Sequence, residues 1–237
     1  MPIIEGLDGD QSNKRGGLSH QAIEDYLKTI YALSSDGSLV STSQLAQARG
    51  VKAASVTGMI KRLSELKLVD YEKSKGVALT PSGEKIALEV IRHHRLIETY
   101  LIEALGFSWD EVHDQADILE HVISEKLEER IDSVLNFPEY DPHGAPIPKK
   151  DGSLPEKETV DLIDLTAGQA GQVAEILQDD DPEMLRYFAD KGVRPGVPIR
   201  VIEKAPFDGP ITLEIGGIEV ILGYNVAKAI TVELVSS

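Results

Sequence analysis

Residues 112–123, VHDQADILEHVI, constrain this chain more than any other stretch. At about 100° per residue along a helix they divide into two adjoining stripes. Val112, Ala116, Leu119 and Ile123 form an apolar stripe that has to pack into a core. His113, Asp117, Glu120 and His121 fall beside it, at i, i+4, i+7 and i+8. Imidazole and carboxylate groups beside a buried face lose water and need partners. Nitrogen and oxygen donors at this spacing suit a divalent transition metal. A solvated acidic face with two incidental histidines is the alternative for this stretch taken alone.

A second stretch tips the balance. In the helical run over residues 81–106, His94 and Glu98 stand at i, i+4, flanked by Val90, Ile91, Ile97 and Leu101. A histidine–glutamate hydrogen bond could satisfy this pair without metal. Together, however, the two helices carry three histidines and three carboxylates, and a metal centre accounts for all six. The chain has no cysteine, which excludes a disulfide framework, a thiolate zinc site and a cysteine nucleophile. The donors are therefore nitrogen and oxygen.

At 237 residues the chain is long enough for two or three small domains. It shows no apolar run long enough to span a membrane and no signal-peptide pattern, so a cytoplasmic protein with no membrane partner is expected. The net charge of −16 argues against nucleic acid until its distribution is examined. Residues 1–80 carry +1, residues 81–140 carry −9 and residues 141–237 carry −8, while residues 41–79 alone carry +4. A locally basic segment is attached to two acidic ones.

Residues 1–17 are polar and Gly-rich and read as a tail. Ser19 caps a predicted helix to about residue 33, and Ser41–Thr42–Ser43 starts a short one ending at Gly50. A third helix is predicted over residues 53–67, with Val56, Ile60, Leu63 and Leu66 inward, followed by β runs at 68–71 and 77–79 around a basic turn. Helix, helix, turn, helix and hairpin make a winged helix-turn-helix, the DNA-binding domain, over residues 1–80. The start of its third helix would enter a major groove. Ser43, Lys52, Ser55, Thr57, Lys61 and Arg62, with Lys73 and Lys75 on the wing, are the expected DNA contacts. Hydroxyl and basic groups mostly bind phosphates, so base-edge readout is thin and DNA shape matters more.

Residues 81–140 form a helical dimerisation and metal-binding domain. Ser108 is expected to cap the helix carrying His113 to His121, and another helix runs over 124–136. Leu101, Leu105, Val122, Leu127, Ile131 and Leu135 exceed what one helical layer buries, which points to a dimer interface. Residues 141–156 are a proline-rich linker in which His143 reads as a turn residue. Residues 157–237 hold short alternating β runs at 160–165, 172–177, 197–202, 211–215, 218–222 and 229–234, with one helix over 182–190. Such a segment makes a small SH3-like β-barrel. The fold class is thus mainly α with a small β domain. Asp179, Asp180, Asp181 and Glu183 at the start of the 182–190 helix read first as compensation of the helix dipole.

With these elements placed, the chain resembles the diphtheria-toxin-repressor family of iron- and manganese-dependent transcriptional regulators. The resemblance spans residues 20–237 and is carried by EDYLKTIYAL, SVTGMIKRL, GVALTPSGEKIA, HHRLIETYL, VHDQADILEHVIS and DPHGAPIP. It implies a homodimer that binds a double-stranded DNA operator when metal is bound and controls metal-uptake genes. By motif, His94, Glu98 and His113 match one family metal site, while Asp25, Asp117, Glu120 and His121 match the other, implying two ions per subunit. Iron-responsive members carry methionine and cysteine where this chain has Asp25 and Asp117; the manganese branch carries acids. Hard carboxylates suit Mn(II), with Fe(II) the alternative. Lys28 departs from an acidic position of the two-domain manganese regulators, which disfavours their bridged ion pair. In three-domain members a Glu and a Gln from the SH3-like domain complete the first site, and Asp180 and Glu183 fit that i, i+3 spacing best.

Two other functions compete. A metalloenzyme would need a nucleophile or an HExxH pattern beside the cluster, and the sequence has neither, so no catalytic residue is expected. A winged-helix regulator could instead answer to an organic ligand; no organic cofactor is expected here.

Overall fold

The computed structural model describes residues 19–34 and 37–234. The expected N-terminal tail therefore lies outside the described residues. The chain divides into two compact units, residues 1–92 with 123–125, and residues 93–122 with 126–237.

The first unit begins with α1 (His20–Leu33), capped by the Ser19 side chain accepting from the Ala22 N–H. Next is α2 (Thr42–Ala48), where Ser41 and Gln44 form a reciprocal capping box. Then comes α3 (Ala53–Glu65), two residues shorter at its end than the sequence suggests, because Leu66 caps it and Lys67 turns to positive φ. The wing is β1 (Val69–Glu72) paired antiparallel with β2 (Gly76–Leu79). Val40 bridges to Val77, and this needs glycine at 76. Its φ is +146°, and a Cβ there would stand 2.8 Å from the Val40 carbonyl oxygen. Ile23, Leu27 and Ile30 of α1 pack with Leu45, Val56, Ile60 and Leu63, and with Ile86, Ala87 and Val90 of the following helix, α4 (Pro81–Leu105). The winged helix-turn-helix expectation holds element by element.

The second unit takes the C-terminal half of α4, then α5 (Val112–Leu119) and α6 (Glu125–Val134). Here the sequence reading needs two corrections. Ser108 does not cap α5; its hydroxyl donates to Glu111 at 2.5 Å, and residues 109–111 form a turn. Trp109 causes the delay, since its ring is buried in the core of the β domain and pulls the chain away from helical geometry. The helix also stops at Leu119, with Glu120 as cap and His121 beyond it. Of the apolar stripe, Val112 and Ala116 are buried, whereas Leu119 is exposed. Of the proposed interface leucines and valines, Leu105, Val122 and Leu127 are exposed, joined by Ile118, Val134 and Phe137. Leu101 and Ile131 are instead buried within the chain, and Leu135 is half-buried.

The first half of the expected linker is packed. Asp141, His143, Gly144, Ala145 and Ile147 are all buried. Gly144, at φ +90°, lies so close to the β domain that a Cβ would meet the Ala174 oxygen at 2.0 Å. The β domain contains β3 (Val160–Asp161), β4 (Ala170–Ile176), α7 (Pro182–Asp190), β5 (Pro198–Lys204), β6 (Ile211–Ile215), β7 (Ile218–Leu222), the single turn α8 (Tyr224–Ala227) and β8 (Ile230–Leu234). The strands form one antiparallel sheet in the order β3-β8-β4-β5-β6-β7. The predicted first strand breaks after two residues into a 3₁₀ turn that buries Leu162. Phe188, Leu185, Val201, Leu213 and Val232 fill the interior. No helix among the described residues is long and apolar enough to cross a membrane.

Candidate metal centre and nucleic-acid surface

Six of the metal-ligand candidates meet within the second unit, around His94 and Glu98 on α4. Both are buried, Glu98 completely. The i, i+4 spacing puts His94 Nε2 3.0 Å from Glu98 Oε1, and His113 Nδ1 on α5 reaches the same oxygen at 3.2 Å. The two ring nitrogens are themselves 3.2 Å apart. Three donor atoms thus converge on one point. A cation would engage all three.

The other edge of the His94 ring faces acids. Its Nδ1 stands 2.5 Å from Glu120 Oε2 and 3.4 Å from Asp117 Oδ1, and His121 Nε2 is 3.3 Å from Glu120 Oε1. Neighbouring residues on a helix point about 100° apart. Ending α5 at Leu119 is what lets Glu120 and His121 turn towards each other. His94, His113 and Asp117 offer donor atoms all within 4.8 Å.

The structure adds a group that the sequence reading did not assemble. Glu98, Asp141 and His143 also bring donor atoms within 4.8 Å of one another, all three buried. Asp141 Oδ1 is spent on the N–H groups of His143 and Ala145 (2.8 and 2.9 Å), which fix the Asp-Pro-His-Gly turn. Its Oδ2, with Glu98 Oε2 and His143 Nδ1, has no hydrogen-bond partner. Glu98 Oε2 and His143 Nδ1 are 3.8 Å apart, and Arg95 Nε is 3.6 Å from Asp141 Oδ2. His143 is anything but a free turn residue. Its carbonyl accepts from the Ile176 N–H of β4 (2.9 Å), its Nε2 faces the Trp109 carbonyl (3.3 Å), and its ring stacks on Trp109 at 5.3 Å. A proline-rich setting hides such burial; the one available signal was a histidine and an acid two residues apart in DPHG.

Ionisation follows from this crowding. Burial pushes the Glu98 carboxyl up, but the His94 charge, the hydrogen bonds from His113 and His94 and the nearby His143 imidazole outweigh it and hold Glu98 well below the usual range. Asp141 is pushed up to about 7, first by burial and then by the Glu98 charge, against the pull of Arg95 and His143. Burial lowers His113 and His143, yet Glu98 raises both overall, helped at His113 by Asp117 and at His143 by Asp141 and Asp179. Asp179 is therefore the acid of the β domain whose charge reaches this group. Asp180 and Glu183, selected by spacing, are exposed and belong to none of the donor groups of this unit. Asp181 beside them caps α7, accepting from the Glu183 and Met184 N–H groups. Of the acidic run read as helix-dipole compensation, Asp181 is the residue that caps the helix. Asp25, on α1 of the first unit, accepts from Arg49 Nη2 at 2.7 Å.

The expected DNA contacts all lie in the first unit. Ser43, Lys52, Ser55, Lys61, Arg62, Lys73 and Lys75 are exposed, and Thr57 is half-buried with its hydroxyl donating to the Ala53 carbonyl. Lys52 is the N-cap of α3 and no side chain caps that helix, so amide N–H groups and a lysine face one approach route, as phosphate binding requires. Arg62 pairs with Glu65 at 3.3 Å and Lys75 with Glu72 at 2.6 Å, both exposed pairs of small energetic weight.

Three family descriptions match consecutive parts of the chain. Residues 19–77 match "Iron dependent repressor, N-terminal DNA binding domain", residues 80–149 its "metal binding and dimerisation domain", and residues 160–234 the "FeoA domain". The iron-dependent repressor IdeR of Mycobacterium leprae is 32% identical over 224 residues, covering 90% of this chain and 96% of that protein. A solved manganese-dependent transcriptional repressor in complex with manganese is 42% identical with a TM-score of 0.82, covering 90% of this chain and all of that one. ScaR with bound Cd2+ is 33% identical with a TM-score of 0.77, covering 90% of this chain and 99% of the other.

Proposed function

Because the chain belongs to the iron-dependent repressor family of metal-dependent, DNA-binding transcriptional repressors, we propose that it is a Mn(II)-activated homodimeric repressor of metal-uptake genes. The observation that carries the reading is the buried donor set, made of nitrogen and oxygen alone. His94, Glu98 and His113 would hold one ion. Asp117, Glu120 and His121, with Asp25 from the DNA-binding unit, would hold the other. In place of Asp180 and Glu183, Asp141 and His143 complete the environment of Glu98, because their buried atoms facing it have no hydrogen-bond partner. Carboxylate and imidazole donors suit Mn(II) and Fe(II), and no thiolate or thioether draws the site towards later, softer-binding metals. The manganese reading is further supported by the solved relatives that carry manganese in their descriptions.

Metal binding would favour one arrangement of the DNA-binding unit, and the operator would select the same one. The exposed apolar residues Ile118, Val122, Leu127, Val134 and Phe137 support a homodimer through the α5–α6 surface. The decisive experiment is a titration of operator binding against free Mn(II), Fe(II), Co(II) and Zn(II), with a chelator control. Binding that appears with Mn(II) and disappears with chelator is the expected result. Tight, chelator-insensitive operator binding would overturn the reading, and activation by Fe(II) at lower free concentration than Mn(II) would move the protein to the iron-responsive side.

A further inference from the structure

Asp25 has a second claimant inside its own unit. Its Oδ2 accepts from Arg49 Nη2 at 2.7 Å, and the two side chains are 21% and 32% exposed. Arg49 is the C-cap of α2, with its backbone N–H bonded to the Leu45 and Gln47 carbonyls, so its main chain is fixed while the side chain reaches across to α1. Its guanidinium also lies 5.5 Å from the centre of the Tyr26 ring, one residue along α1 from Asp25.

A guanidinium on a carboxylate does much of what a cation does there: it takes a lone pair and neutralises the charge. A divalent ion arriving at the same carboxylate meets a fixed positive charge, and in a half-buried setting that repulsion is only partly screened. We propose that Arg49 sets the threshold of the metal response, by competing with the divalent cation for Asp25. The Tyr26 ring gives the displaced guanidinium a second station by cation–π attraction, so release does not strand the charge. The inference rests on the reading of Asp25 as a metal ligand. It makes Arg49 a residue that tunes the ion concentration at which the repressor switches, and not one that touches the ion.

The test is Mn(II) binding to the full chain, followed by the loss of the free-ion electron paramagnetic resonance signal, with the melting temperature of the metal-free protein recorded alongside. R49Q should bind Mn(II) about fivefold more tightly at the Asp25-dependent site, the scale of a partly exposed ion pair. R49K, which keeps the charge but not the forked geometry, should fall between the two. D25N should weaken binding, and D25N/R49Q should bind no more tightly than D25N. A merely structural Arg49 would lower the melting temperature and leave Mn(II) affinity equal or poorer. If D25N weakens binding while R49Q leaves it unchanged or weaker, the competition is overturned and Asp25 remains a ligand. If D25N binds Mn(II) like the parent protein, the ligand reading of Asp25 falls, and the competition falls with it.

Discussion

Asp141→Asn isolates the cost of burying the Asp141 carboxyl beside Glu98. Asp141 titrates at about 7 when folded, against an ordinary 3.8, chiefly because it is buried and then because it faces Glu98. A carboxyl whose folded value is raised binds more protons folded than unfolded between those two values, so its contribution to stability is present below pH 4 and is lost as pH rises towards 7. The window corresponds to about 4 kcal/mol at most. Asparagine keeps the Oδ1 acceptor for the His143 and Ala145 N–H groups and cannot ionise, so packing and turn are preserved. Metal-free D141N should therefore match the parent protein below about pH 4 and exceed it in stability at pH 8 by up to about 4 kcal/mol. The difference between the two proteins isolates Asp141 from the opposing titrations of Glu98, His113 and His143. Urea unfolding followed by the fluorescence of Trp109, the single tryptophan, reports on this unit because its ring stacks on His143. Excess Mn(II) should narrow the gap at pH 8, since the parent protein gains about 2.7 kcal/mol at a hundredfold excess over its dissociation constant and D141N gains less. A stability gap equal at pH 5 and pH 8 would refute the assignment of Asp141 as a charge awaiting a cation.

Lys61→Ala and Arg62→Ala should each weaken DNA binding across all sequences and lower the salt slope by about one, because both lie past the base-reading start of α3; altered sequence preference in a binding-site selection would contradict this. Asp25→Met combined with Asp117→Cys should broaden activation towards Fe(II) and Co(II) and weaken the Mn(II) response, measured as operator affinity against free metal. An unchanged metal ranking would locate selectivity in the His94, Glu98 and His113 group.

The helices and strands were legible because their signals are local. Ser19, Ser41 with Gln44, and the 182–190 helix follow cap and periodicity rules that need no tertiary information. The His94–Glu98 pair was legible for the same reason, as an i, i+4 polar pair inside an apolar stripe. What escaped was non-local. α5 starts late because Trp109 is claimed by the core of the β domain, and no periodicity within residues 108–112 records that. The Asp141–His143 group depends on a turn pinned to β4 through Ile176, so a proline-rich composition that reads as linker becomes a packed wall of the site. Asp180 and Glu183 were chosen by fitting the i, i+3 spacing that the resemblance implies; both are exposed, and Asp179 is the acid whose charge reaches Asp141 and His143.

The arithmetic of switching explains why one donor group would not suffice in the proposed mechanism. Moving a two-state protein from 1% to 99% competent takes about 5.5 kcal/mol of differential binding. A site that binds only the competent state, filled at a hundredfold excess over its dissociation constant, contributes about 2.7 kcal/mol. A single ion per subunit therefore leaves the switch half thrown, whereas two bring it to completion within the same range of free metal. An ion pair at Asp25 of about 1 kcal/mol subtracts from the second contribution alone, since Arg49 opposes only that site. The His94 ring stands between the two groups, with Glu98 and His113 on one edge and Asp117 and Glu120 on the other. Filling the first group therefore fixes a ring on which the acids of the second group rest, and the two ions are expected to bind as a coupled pair.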